Sequence, residues 1–206
     1  AHGFARNRDW DLIDVQQTEN DGIKLTLPLA PDPRDEPLWH CAYSLKMVIE
    51  INEQLTLSLT TENLDQESFV ISQALHTYFA VGNIEKTQVR GLSNHHYLDK
   101  VENFREKLQA GEIVFNGETD RVYLNSPDKL FIEDTDWARR IVVESSGSNT
   151  TIVWNPWDKV STLKDMTDDS YQYFVCVETA NAANNSISLA PGETHTISAG
   201  YRIMPL

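Results

Sequence analysis

Polar and apolar residues alternate with a period of two along most of this chain, which confines it to extended strands with one face on a core. Leu25, Leu27 and Leu29 are interleaved with Thr26 and Pro28, and Leu55, Leu57 and Leu59 with Thr56 and Ser58. Further β-rich runs cover 43–51, 69–75, 122–124, 130–132, 140–144, 151–154, 173–178, 186–189 and 194–203. Turn-forming clusters separate them, among them Glu19-Asn20-Asp21-Gly22, Asn116-Gly117-Glu118, Ser145-Ser146-Gly147-Ser148-Asn149 and Pro191-Gly192. Short strands at this spacing predict an all-β, antiparallel sandwich or barrel. One stretch departs from the pattern: Leu98, Val101, Phe104 and Leu108 stand 3, 3 and 4 apart and predict a helix over 98–108.

No repeat, low-complexity tract or long linker divides the chain, so residues 1–206 are expected to form one β-sandwich domain. The proline-rich stretch 28–37, with Asp32, Arg34, Asp35 and Glu36, is expected to be an exposed loop between strands. Seventeen basic residues against 31 acidic give a net charge of −14. Such a chain repels a phosphate backbone, which argues against nucleic acid and against an anionic bilayer surface. No apolar run is long enough for a membrane-spanning helix, and the opening residues lack the charged and apolar regions of a signal peptide. Cys41 and Cys176, without a CxxC motif, are expected to be reduced thiols of a cytoplasmic protein.

The six histidines make no metal-ligand pattern; adjacent His95 and His96 point to opposite faces of an extended segment, and His40 and His195 are expected to be structural or exposed. His76 stands out, because Ala74-Leu75-His76-Thr77-Tyr78-Phe79-Ala80-Val81 is apolar and β-forming on both sides. It is either a satisfied core histidine or a group in a cleft. Glu178 ends the apolar run Tyr173-Phe174-Val175-Cys176-Val177, where an unpaired carboxylate is costly to bury. Asp120, beside Arg121, suits turn chemistry as well as ligand binding. In Val153-Trp154-Asn155-Pro156-Trp157 the proline excludes a regular central strand, so the tryptophans are expected to mark a shaped loop, either a sugar-binding wall or an apolar cap.

Six segments in order then carry a resemblance: His2-Gly3-Phe4-Ala5-Arg6 followed by Trp10; Leu75-His76-Thr77-Tyr78-Phe79; Gly91-Leu92 with Tyr97-Leu98-Asp99-Lys100; Thr119-Asp120-Arg121-Val122-Tyr123; Val153-Trp154-Asn155-Pro156-Trp157; and Tyr173-Phe174-Val175-Cys176-Val177-Glu178. The sequence resembles the glucose-6-phosphate 1-epimerases, or hexose-6-phosphate mutarotases, a branch of the aldose 1-epimerase superfamily. The resemblance implies a galactose-mutarotase-like antiparallel β-supersandwich and interconversion of the α and β anomers of a hexose 6-phosphate. It also implies roles: His76 as general acid, Glu178 as general base, Asp120 as a substrate ligand and Arg6 as the phosphate holder; Trp154, from the aromatic segment above, is expected to bind substrate as well. Ala1 stands where some members carry a substrate-binding glutamine. Members usually begin with further N-terminal strands, so the domain is expected to be N-terminally incomplete.

The residue types suit that chemistry. Ring opening removes a proton from the anomeric hydroxyl and adds one to the ring oxygen, so one carboxylate and one imidazolium suffice, with no cofactor or metal. The phosphate must be held by a local cation such as Arg6, since screening beyond about 8 Å limits the global field; Lys86, Arg90 and Lys100 are further candidates. A non-catalytic sugar-binding sandwich and a mutarotase for unphosphorylated aldoses remain as alternatives. The sequence does not give an oligomeric state.

Overall fold

A computed structural model describes residues 2–31 and 37–206; Ala1 and the charged residues of the proline-rich stretch lie outside it. In chain order the strands are β1 (Asp14–Gln17), β2 (Ile23–Leu29), β3 (Tyr43–Ile51), β4 (Leu55–Asn63), β5 (Phe69–Ile71), β6 (Gln73–Leu75), β7 (Tyr78–Ala80), β8 (Thr87–Arg90) and β9 (His96–Asp99). They continue with β10 (Arg105–Leu108), β11 (Ile113–Val114), β12 (Thr119–Leu124), β13 (Lys129–Asp134), β14 (Arg139–Ser146), β15 (Thr150–Asn155), β16 (Phe174–Asn181), β17 (Ile187–Leu189) and β18 (Thr194–Pro205). All pairings are antiparallel.

A nine-stranded sheet runs β1-β2-β3-β4-β18-β14-β13-β8-β11, and a seven-stranded sheet runs β10-β9-β12-β15-β16-β6 with β7 also on β16. One cluster of buried side chains draws on both sheets: Val89, Ile132 and Ile197 from the larger, Tyr123, Val153, Val175 and Val177 from the smaller. The alternation decides which faces meet, because every second residue of a strand points the same way. The turn from β14 to β15 needs its glycine: Gly147 has φ +69°, and a Cβ there would stand 2.0 Å from the Thr196 carbonyl oxygen. Among the described residues no helix is long and apolar enough to cross a membrane.

Ile132 is fully buried in the larger sheet, between Val89 of β8 and Ile141 of β14. Ile132→Ala is expected to cost about 2–5 kcal/mol of unfolding free energy, read by urea denaturation, because the two sheets close only partly over the lost volume.

Several expectations change in the folded chain. The stretch 98–108 forms a hairpin whose only helical piece is a three-residue 3-10 turn, Lys100–Glu102; β9 and β10 pair Leu98 with Glu106. Asp99 accepts a hydrogen bond from the Val101 amide, and Asn103 and Phe104 both take left-handed backbone angles that reverse the chain. Val101, Phe104 and Leu108 are exposed, so the helical spacing buries nothing. The run 69–75 breaks at Ser72, with β5 pairing β17 and β6 pairing β16. Trp154 belongs to regular β15; only Pro156 and Trp157 leave the strand. Glu178 lies inside β16, which continues to Asn181 and is buried at every position.

Candidate functional site

The site begins with a break in one ladder. Strand β6 pairs Leu75 with Thr179, and β7 pairs Tyr78 with Cys176. Carrying the same register across the gap sets His76 opposite Glu178 and Thr77 opposite Val177. Between the two strands the Thr77 amide donates to the Leu75 carbonyl at 3.0 Å, a three-residue turn with His76 at its centre. The backbone thus brings together two residues 102 positions apart, with His76 Nε2 3.4 Å from Glu178 Oε1. The next ladders add the rest: Trp154 lies between Cys176 and Asp120 across three strands. Asp120 in turn holds Lys100 through Oδ2 at 2.8 Å.

Aromatic rings fix the imidazole from three sides. Tyr78 stacks flat on His76 at 5.0 Å, Trp154 meets it edge-on at 5.8 Å, and His2 meets it edge-on at 5.3 Å. Two polar atoms of the cluster are buried without any protein partner, His76 Nδ1 and Asp120 Oδ1. Buried polar atoms are nearly always satisfied, so two orphans in one cluster suit a polar ligand that completes them.

Burial controls the protonation of the pair. It pushes the Glu178 carboxyl up to about 8, helped by the negative charge of Asp120 and opposed by Lys100. It also pushes His76 down to about 4, with His2, Arg6 and Lys100 adding positive charge nearby. Desolvation favours the neutral form of both groups. Between these limits the pair holds a single exchangeable proton, which rests on Glu178 in the free chain.

A cleft of about 840 Å³ opens beside His76 and Tyr78 and is lined also by Arg6, Gln73, Trp39 and Asp165. Arg6 reaches it from a short turn, Ala5–Asn7, anchored by the Trp10 indole donating to the Ala5 carbonyl at 3.1 Å and by Phe4 packed on Tyr43. Its guanidinium is exposed at the rim. Glu178 touches the cleft-lining His76, Trp154 touches His76 and Tyr78, and Asp120 pairs with Trp154 one strand further on. Of the other candidate cations, only Lys100 stands in this cluster. Lys86 pairs with Asp136, and Arg90 with Glu133 and Glu112, on a different part of the molecule. Trp157 packs at a tilt against Tyr171, so one tryptophan of the pair faces the site and the other does not.

His40 is exposed, and His195 donates from or accepts at Nε2 with the Gly147 carbonyl and Asn181. Among the described residues no group of three His, Cys, Asp or Glu side chains is placed to hold a metal ion. Cys41 and Cys176 are free thiols, and burial beside Glu178 raises the Cys176 thiol far above its ordinary value. Two members of the cluster, His2 and Tyr78, were not singled out by sequence reasoning. Tyr78 was within reach of it, since residues two apart on a strand share a face and His76 had already been marked.

Comparison with known proteins adds independent information. A family model described as Aldose 1-epimerase matches residues 1–202. A protein of Cenchrus ciliaris that carries the provisional name glucose-6-phosphate 1-epimerase is 37% identical over 204 residues, covering 93% of this chain and 61% of the relative. An Escherichia coli K12 protein with the same provisional name is 37% identical over 185 residues, covering 89% of this chain and 61% of the relative. The crystal structure of a provisionally named mutarotase from Salmonella typhimurium superposes with a TM-score of 0.90 at 29% identity, covering 100% of this chain and 68% of that one. The chain therefore spans about 61% of the length of these curated relatives.

Proposed function

Since this chain belongs to the aldose 1-epimerase family, we propose that it interconverts the α and β anomers of a hexose 6-phosphate, glucose 6-phosphate first, with His76 and Glu178 moving the protons. The observation that carries this reading is the half-buried His76 3.4 Å from the buried Glu178, set in register by the flanking strand pairs, with His76 Nδ1 and Asp120 Oδ1 both unsatisfied. The provisional names of the two relatives support the phosphorylated sugar.

The exchange needs one acid and one base at once. Shifting the shared proton from Glu178 to His76 gives carboxylate and imidazolium; a phosphate dianion in the cleft favours this form because it adds negative charge near the imidazole. Glu178 then takes the proton from the anomeric hydroxyl, the bond from C1 to the ring oxygen breaks, and His76 protonates that oxygen. Rotation about the C1–C2 bond presents the other face of the carbonyl. Closure reverses both transfers, so the pair returns to its starting charge and no cofactor is consumed. Asp120, with its free Oδ1, accepts from a sugar hydroxyl, Trp154 offers an apolar wall, and Arg6 holds the phosphate with its planar fork. A hexose phosphate substrate, together with the two free thiols, supports action in the cytoplasm.

The test is the pH profile of anomer exchange, measured by saturation-transfer NMR on glucose 6-phosphate. Above about 8 Glu178 loses its proton and the pair has two bases and no acid; below about 4 His76 gains one and the pair has two acids and no base. A plateau between these limits with a fall on both sides is expected. No exchange above the buffer rate at any pH would overturn the reading and favour a sugar-binding module.

A further inference from the structure

The geometry points to Tyr201 and Thr77 as a positioning pair that fixes the direction in which His76 faces Glu178. This inference rests on the reading of His76 and Glu178 as the proton-exchanging pair. A histidine used in proton transfer is commonly oriented by a hydrogen bond at its second ring nitrogen. Here Nδ1 has no protein partner, so the ring takes its direction from its rings of neighbours and from the backbone that carries it. That backbone is a single three-residue turn in a ladder gap, closed by one hydrogen bond. Left to itself, such a turn is a weak support.

Thr77 supplies the missing constraint. Register places it on the face opposite to His76, towards the interior between the sheets. There its Oγ1 lies 2.6 Å from the Tyr201 hydroxyl. Tyr201 comes from β18 of the other sheet, is buried, and meets the Phe79 ring edge-on at 5.1 Å. One hydroxyl pair thus ties the two sheets together directly beneath the gap, one residue from His76. Burial raises the Tyr201 phenol to about 12, with the Thr77 hydrogen bond opposing the rise and the charge of Glu178 adding a little to it.

Tyr201→Phe and Thr77→Val each delete one partner of this bond at nearly constant volume, and Thr77→Ser keeps it. Two readouts are taken on the whole chain: the His76 imidazole signals in ¹⁵N NMR, assigned by their absence in His76→Asn, and steady exchange kinetics with glucose 6-phosphate. Tyr201→Phe and Thr77→Val are expected to shift or broaden the His76 signals and to lower kcat roughly tenfold with KM nearly unchanged. The double variant is expected to be no worse than the poorer single variant, and Thr77→Ser to keep the wild-type signals and rate. Unchanged His76 signals in the folded Tyr201→Phe and Thr77→Val chains would overturn the proposal, as would additive losses or an equal loss in Thr77→Ser. If the wild-type chain shows no exchange, the functional reading falls, and the imidazole signals still decide whether Tyr201 and Thr77 set the ring.

Discussion

Glu178→Gln is expected to lower the rate of anomer exchange at least a hundredfold, and His76→Ala to do the same, when freshly dissolved α-glucose 6-phosphate is followed by polarimetry near pH 6. A positioned acid or base contributes about 10²–10⁴-fold, and either substitution removes one of the two groups proposed to act in concert. Glutamine is the informative replacement at Glu178. Burial keeps the carboxyl protonated up to about 8, so the neutral amide matches the resting charge and shape while being unable to accept a proton. The fold should therefore survive, which circular dichroism and urea denaturation check. Because the two groups act as a unit, the double variant is expected to be little slower than the worse single one. Rates within threefold of wild type in both single variants would remove these residues from the reaction.

Arg6→Ala should separate phosphorylated from plain sugar. With a net charge of −14 the chain repels a phosphate dianion at long range, so binding depends on a short-range cation. Lys86 and Arg90 are engaged by carboxylates elsewhere and Lys100 is held by Asp120, which leaves Arg6, among the described residues, as the cation lining the cleft beside His76. A hydrogen-bonded charge of this kind is worth about 1.5–3 kcal/mol, so kcat/KM for glucose 6-phosphate is expected to fall about 10- to 100-fold. The value for glucose should stay the same, since Arg6 is assigned no part in ring opening. An equal fall for both sugars would mean that Arg6 supports the site and does not read the phosphate.

Strands with clear alternation were legible from the residues: the run 43–51 is β3 to the residue. The helix expected over 98–108 failed because spacing alone ignores where the apolar side chains go. Two successive left-handed residues, Asn103 and Phe104, turn the chain there, and Lys107 bonds Asp99 and Glu102 across the hairpin. His76 and Glu178 were each conspicuous as polar residues in apolar runs. Their partnership was not, because it depends on the register of β6 and β7 against β16, a relation among segments a hundred residues apart. His2 was invisible for a related reason: it joins the site by a ring contact from a segment with no strand pattern of its own.

The gap between β6 and β7 has a consequence for how this architecture diversifies. His76 and Glu178, the proposed acid and base, face each other across that gap in the register of the flanking strand pairs, so their spacing is set by strand pairing and not by the sugar. Arg6 and the cleft walls come from turns and loops outside that ladder. On the proposed reading, chemistry and substrate choice are separately editable: exchanging the rim is expected to retune the preferred aldose and leave the reaction intact, whereas a one-residue slip of β16 would abolish it for every sugar at once.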